Sequence, residues 1–316
     1  MTYAADEDPV LYFGAALEIP ERVVRARAYA SALGWYRLVV NGKDLTGASL
    51  VPRFTPFEQE VEYREYDPAG AIVPGMNLFH LVVADGRFRG RLGFLARRCV
   101  YGPELAAYLH LELEFADGTR RTWGTDATWT VGRGPVVRAD PKFGEFADLR
   151  IPAPWSQPHD HAQSRPVRPF SPHSRQLIAE QVPPVTAVKE LTPVSVWRSP
   201  RGRQLVDFGQ NFAGVARLRL TGRAGTSVRV TYSELISPDG ELDTQWILSD
   251  RKKPWYQRDE VIIGAPGEWF EPSFTIHGFR YLEIEVLDQD LAPNDIVGVV
   301  LSSERDAVGL AARSVP

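Results

Sequence analysis

The sequence predicts an all-β fold: two tandem antiparallel β-sandwiches of jelly-roll-like type, joined by a proline-rich connector. Three observations carry this. The dominant hydrophobic period is two, not 3.6, as in Tyr108–Phe115 (YLHLELEF) and Ser227–Tyr232 (SVRVTY). Such runs are short, and 26 glycines and 25 prolines in 316 residues supply the turns that antiparallel meanders need. No segment shows the long, capped apolar stripe of an amphipathic helix.

In chain order, Trp35–Val40 reads as a strand ending in Asn41-Gly42, a strong short-range hairpin signal because both residues tolerate the positive φ of a type I′ turn. Tyr108–Phe115 meets a second turn at Asp117-Gly118 and returns as Thr119–Trp123. Between Ile151 and Ser174 the composition shifts. Six prolines, at positions 152, 154, 158, 166, 169 and 172, fall among His, Gln and Ser with little periodicity. Proline fixes φ and removes a backbone donor, so this segment is expected to be an extended connector pinned across a domain surface, not a strand. Beyond it, Arg217–Leu220, the glycine-rich turn Gly222–Gly225 and Ser227–Tyr232 form another hairpin, and Tyr281–Val286 and Ile296–Leu301 add strands. The expected division is a first sandwich over 1–150, the connector over 151–176, a second sandwich over 177–303, and the start of a linker over 304–316.

The bulk numbers exclude several function classes. With 44% apolar and 24% charged residues, the chain has the composition of an ordinary globular protein of a size for one or two domains. A net charge of −4 and the lack of any long Lys/Arg block give a phosphate backbone nothing to follow, so no nucleic-acid partner is expected. No apolar run approaches the roughly 20 residues that span a bilayer, so no membrane partner is expected either. Met1–Pro9 is acidic and lacks the basic and apolar regions of a signal peptide, and Cys99 is a lone cysteine; together they point to a cytoplasmic location. Dinucleotide, phosphate-loop, zinc-protease and nucleophile-elbow motifs are all missing.

Three blocks stand out in the second half. They are Val206–Gly214 (VDFGQNFAG), Thr231–Gly240 (TYSELISPDG) and Phe274–Tyr281 (FTIHGFRY). Together, in this order, they resemble the β-sandwich region that precedes the catalytic α/α barrel in bacterial α-L-rhamnosidases. The first half carries the resemblance further. Ala32–Gly42 (ALGWYRLVVNG) looks like the family's opening strand and turn, Phe54–Asp67 like its next strand, and Pro74–Asn77 like the turn after it. Ala84–Gly93 resembles a glycine-rich loop of the family, with Arg87 where an aromatic residue is usual. Gly309–Pro316 resembles the linker that enters the barrel.

The resemblance implies an inverting glycosidase that releases terminal α-L-rhamnose, with its acid and base in the barrel, two carboxyl groups set about 6.5–9.5 Å apart. No catalytic residue is therefore assigned in this chain, and the chain is expected to be an ancillary region, inactive alone. The implied partners are a rhamnose-containing glycan or the barrel; no cofactor is implied. A reading from another class stays open: a free-standing carbohydrate-binding sandwich that recognises rhamnose-containing glycans.

Each candidate residue carries a structural reading beside the functional one. Asp207, Gln210 and Asn211 form either a polar loop that touches sugar or the barrel, or an Asx-type turn bent at Gly209. His277 and Arg280 either meet a carboxylate on the adjoining loop, Asp207 being the nearest choice, or are a buried hydrogen-bonded histidine and a locally paired arginine. Trp155, Trp246 and Trp255 lie in irregular segments and are the candidates for stacking on sugar; packing beneath the connector competes with that role. Trp35, Trp123, Trp129 and Trp269 sit in strand-like runs and are expected in the cores. His159-Asp160-His161 lacks a third ligand at useful spacing, so no metal is expected there. Glu234, Asp239, Glu241 and Asp243 form an acidic loop read as solvated, and Cys99 as a small buried thiol.

Overall fold

Alternating side chains give each strand one apolar face, and these faces pair into two cores. The computed structural model describes residues 9–93, 95–156, 164–169, 175–245, 257–286 and 290–303. In the first sandwich one sheet runs in the order Arg165–Pro166, Thr130–Gly132, Leu11–Ile19, Gly75–Ala84, Trp35–Val40, Lys43–Asp44. The facing sheet runs Gln176–Ala179, Glu60–Tyr66, Val23–Leu33, Ala106–Phe115, Arg120–Gly124. Ala26, Ala28 and Ala30 line the inner face of Val23–Leu33 and leave room for Leu109, Leu111, Leu113 and Phe115 beside them and for Leu38, Phe79 and Leu81 opposite. Burying each such Leu or Phe contributes about 1.5–3 kcal/mol. Two of the three predicted hairpins form: Asn41 (φ 50°) and Gly42 (φ 79°) join Val40 to Lys43, and Gly118 (φ 83°) turns the chain after Phe115. The third, Arg217–Leu220 with Ser227–Tyr232, does not, because His277–Val286 lies between these two strands.

The second core is enclosed by one ten-stranded sheet that curls on itself. Its main order is Val136–Asp140, Gly144–Asp148, Arg258–Ile262, Ser227–Ser233, His277–Val286, Gln204–Leu220, Ile296–Ser302, Thr186–Leu191. The 17-residue strand Gln204–Leu220 makes the curl possible. Its first part lies between Ser195–Arg198 and Tyr281–Ile284; its last part pairs with Ile296–Val300 and with Glu268–Phe270. The register with His277–Val286 slips between Asp207 and Phe212, and such a bulge adds the bend and twist that fold a sheet over its core. Val206, Phe208, Ala216, Leu218, Tyr232, Phe279 and Leu282 fill that core.

Among the described residues the fold is all-β apart from single helical turns such as Gly86–Arg89. The sheets do not part where composition divides the chain. Val136–Asp140 and Gly144–Asp148, within the expected first sandwich, belong to the second sheet. Gln176–Ala179, at the end of the expected connector, belongs to the first sandwich. The proline-rich segment is also not strand-free, since Arg165–Pro166 pairs with Val131 and Thr130 at a sheet edge, where a proline's missing donor does no harm. The exchange introduces two parallel pairings into an otherwise antiparallel fold: Phe146–Asp148 with Glu260–Ile262, and Gln176–Ala179 with Glu60–Tyr63. A strand arriving from elsewhere in the sequence, not from a hairpin, is free to pair in either direction.

The two cores meet at a third apolar cluster. Tyr12, Trp35, Val82 and Ala84 from the first sandwich pack with Ala139 and Phe274 from the second. The Tyr12 hydroxyl accepts the Val136 N–H at 2.8 Å, and Arg37 Nη1 donates to Ser273 Oγ at 2.9 Å.

Candidate functional site

The Val206–Gly214 block lies within the strand Gln204–Leu220 and contains its bulge, and each of its polar residues has a defined place. Strand alternation turns Val206 and Phe208 into the core and Asp207 toward the outer face. There Asp207 Oδ1 accepts the Gly209 N–H at 2.6 Å, an Asx-type turn that Gly209 completes at φ 76°. One strand over, Arg280 points from the same face. Its Nε and Nη2 donate to Asp207 Oδ1 and Oδ2 at 2.8 and 2.9 Å, a bidentate pair. The guanidinium holds the Asp207 carboxyl below its ordinary range, with the Gly209 N–H acting in the same direction. A carboxylate so committed is a poor proton donor. Gln210 and Asn211 follow on the outside of the bulge, exposed, and no hydrogen bond to a described residue engages their side chains.

His277 takes the opposite direction, into the core. Its ring nitrogens lie 2.6 Å from Gln257 Oε1 and 3.0 Å from Asp259 Oδ2, and its ring stacks on Tyr232 at 4.0 Å between centroids. The Tyr232 hydroxyl donates to Asp259 Oδ2 at 2.7 Å, and the Glu145 N–H to Asp259 Oδ1 at 2.7 Å. Glu145 in turn accepts the N–H groups of Ser273 and Phe274, both at 2.9 Å. Burial, with Asp259 nearby, pushes the Glu145 carboxyl up to about 8. Tyr232, Asp259 and Glu145 escape a sequence reading: each is one polar position in an ordinary alternating strand, and only the fold brings them around His277. The network is sealed from solvent, with Asp259 and Tyr232 both at 0% exposure, so no substrate reaches it.

The tryptophans divide differently from their sequence contexts. Trp155 is half-buried and packs on His80 and Tyr12 of the first sandwich, with centroids 5.5 and 6.1 Å away. Trp246 and Trp255 lie outside the described residues, as do His159, Asp160 and His161. Trp35 and Trp129 are buried, and Trp123 stacks on Trp129 at 5.4 Å. Trp269, expected in the core, is 49% exposed. Glu268–Phe270 is a three-residue edge strand whose inward position is taken by Phe270, leaving Trp269 outside under the Arg217 guanidinium, 5.6 Å from its ring centre.

A groove of about 890 Å³ opens between the sheets of the first sandwich, floored by Leu33, Leu105, Trp129 and Val131. Arg168 and Glu104 pair across it at 2.6 Å while both remain largely exposed. In the acidic loop, the Ser237 hydroxyl lowers the Asp239 carboxyl, the wrong direction for a general acid. Glu241 Oε1 accepts the Arg201 N–H at 2.7 Å. Among the described residues no three His, Cys, Asp or Glu side chains converge as a metal site, and no helix is long and apolar enough to cross a membrane.

Residues 21–189 match the α-L-rhamnosidase N-terminal domain, and residues 197–302 the concanavalin-like domain of bacterial α-L-rhamnosidases. An α-L-rhamnosidase of Streptomyces avermitilis is 34% identical over 284 residues, 89% of this chain and 27% of that protein. One from Alteromonas sp. (strain LOR) is 29% identical over 303 residues, 93% of this chain and 32% of that protein. Among solved structures, the S. avermitilis enzyme complexed with L-rhamnose superposes with a TM-score of 0.85 at 33% identity, over 93% of this chain and 29% of that one. The Aspergillus terreus α-L-rhamnosidase gives 0.86 at 26% identity, over 96% and 35%. The chain thus spans about a third of the length of these relatives.

Proposed function

The chain belongs to the α-L-rhamnosidase N-terminal domain family, and from that premise we propose that it is the non-catalytic sandwich region of an enzyme that releases terminal α-L-rhamnose from glycosides. The observation that carries this reading is coverage: the likeness to α-L-rhamnosidases takes in nine-tenths of this chain but only about a third of theirs. The chemistry of the described residues agrees with it. An inverting glycosidase needs two carboxyl groups facing each other across an open cleft, one of them kept protonated. Here the carboxyl raised furthest, Glu145, is sealed behind the second core beside Asp259, and Asp207 is neutralised by Arg280. The region then acts mechanically. Two interlocked sandwiches form a stiff platform against which a catalytic domain is held in place.

The test is direct. The purified 316-residue chain is expected to fold and to leave an aryl α-L-rhamnoside unhydrolysed. Turnover above blank that a point substitution within this chain abolishes would overturn the reading.

A further inference from the structure

The most specific sequence block is also the one whose exposed residues have no role inside the fold. Asp207 and Arg280 lock the bulge, and Gly209 shapes it, yet Gln210 and Asn211 sit at its crest with their amides turned to solvent. The bulge bends the sheet over its core and Phe208 and Phe212 seal that core by packing over Gly298, but neither task uses the side chains of Gln210 and Asn211. Apolar side chains flank it. Val194 rests against Gly209 and Leu235 lies in the hairpin beside Gly278, and they are 66% and 51% exposed. Exposed amides beside exposed apolar side chains supply both the hydrogen-bonding and the apolar groups that a protein contact combines.

The topology says what faces it. The last described strand runs antiparallel to Gln204–Leu220 from the pair Ile296–Leu218 to the pair Val300–Gly214. It therefore points toward the bulge and ends at Ser302, two residues past its last pair with Gln204–Leu220. In the relatives, about two-thirds of the polypeptide lies outside the portion this chain matches.

We infer that the bulge around Gln210 and Asn211, with Val194 and Leu235, is the surface on which the domain that follows these sandwiches docks. The inference rests on the reading given under Proposed function. The occupant offers backbone or side-chain amide and hydroxyl groups to Gln210 and Asn211 and an apolar contact to Val194. It needs no charge of its own there, because Arg280 already neutralises Asp207.

The experiment joins the complete 316-residue chain to the segment of the S. avermitilis relative that follows its matching region. It compares the fusion with the unfused chain by amide hydrogen exchange, melting and hydrolysis of an aryl α-L-rhamnoside. Amides 209–213 are expected to gain protection in the fusion. Asn211→Arg and Val194→Asp are expected to lower its activity about tenfold, equivalent to about 1.4 kcal/mol of lost contact, while the melting of the unfused chain stays unchanged. Val24→Asp, at an exposed site on the first sandwich, serves as the control. An active fusion in which amides 209–213 stay unprotected and both variants behave like the control overturns the docking surface and leaves the proposed function standing. An inactive fusion that melts in two independent steps overturns both.

Discussion

At the scale of single residues, the two acids that most define this molecule work in opposite directions. Asp207 is held below its ordinary value by Arg280, so its contribution to stability is present above the unfolded value near 3.8 and is lost as pH falls through the lower folded value. Urea unfolding of Asp207→Asn is therefore expected to show lower stability than the parent at pH 6 and a gap that narrows on acidification toward pH 2. A gap that stays constant with pH would mean that the pair contributes shape and not charge. Glu145 has the reverse sign. Its folded value of about 8 lies above the unfolded 4.5, so its contribution is complete below 4.5 and drains away as pH rises toward 8. A shift of that size corresponds to about 3–5 kcal/mol at most, as each unit is about 1.4 kcal/mol. Gln in its place keeps an acceptor for Ser273 and Phe274 but cannot ionise. Thermal melting of Glu145→Gln is expected to be flatter than the parent between pH 5 and 8, with the variant the more stable of the two at pH 8. Of this residue-level detail the sequence shows the Asp207–Gly209 turn, because an Asx turn is local. It also singles out Arg280 as a partner for Asp207, because both lie in recognisable blocks. It does not show Asp259 or Glu145 around His277, since nothing local marks a polar position that only becomes buried when distant strands pair.

At the scale of elements, period-two alternation with a tight turn dipeptide suffices for a hairpin. Across the longer Gly222–Gly225 turn it does not, since His277–Val286 inserts between the two strands, and sheet membership is not legible at all. The Asn41-Gly42 and Asp117-Gly118 hairpins are legible because the turn dipeptide fixes both partner and register. Val136–Asp140 and Gly144–Asp148 look like any other short strands, and their place in the second sheet follows from a parallel pairing across more than a hundred residues. Gly144 is the joint that permits it. At φ 80° it sits in the left-handed region, and a Cβ there would lie 1.8 Å from the Arg258 carbonyl oxygen and 2.6 Å from its carbon. The two nearest atoms are backbone of one strand, which cannot swing aside as a flexible side chain would. Gly144→Ala is expected to cost about 3 kcal/mol or more and to raise hydrogen exchange specifically along 144–148 and 258–262. Gly118→Ala shares the positive φ but meets nothing within 4 Å, so it isolates the conformational penalty at about 1 kcal/mol. Equal losses at the two sites would show that the seam imposes no steric demand of its own.

At the scale of the whole molecule, the chain passes from the first sandwich to the second sheet at Val136, back to the first by Arg165, and finally to the second at Thr186. Each sandwich is completed by strands that the chain supplies after it has visited the other. The junction is also filled: Phe274 packs among Tyr12, Trp35 and Val82, and Glu145 holds the Ser273–Phe274 backbone against that cluster. Domains joined by a simple linker melt separately unless their interface is large. Here the strands of the two sandwiches alternate along the chain and the junction between them is packed, so the two are expected to melt as one unit. Scanning calorimetry should give a single transition whose van't Hoff enthalpy matches the calorimetric enthalpy for the whole chain, and not about half of it. Phe274→Ala then separates cooperativity that comes from the junction from cooperativity that comes from strand exchange. If exchange dominates, the variant loses about 3–5 kcal/mol and still melts in one step; if the apolar junction dominates, the transition splits in two. One step in both proteins is the expected outcome, because exchanged backbone pairing survives the loss of a side chain.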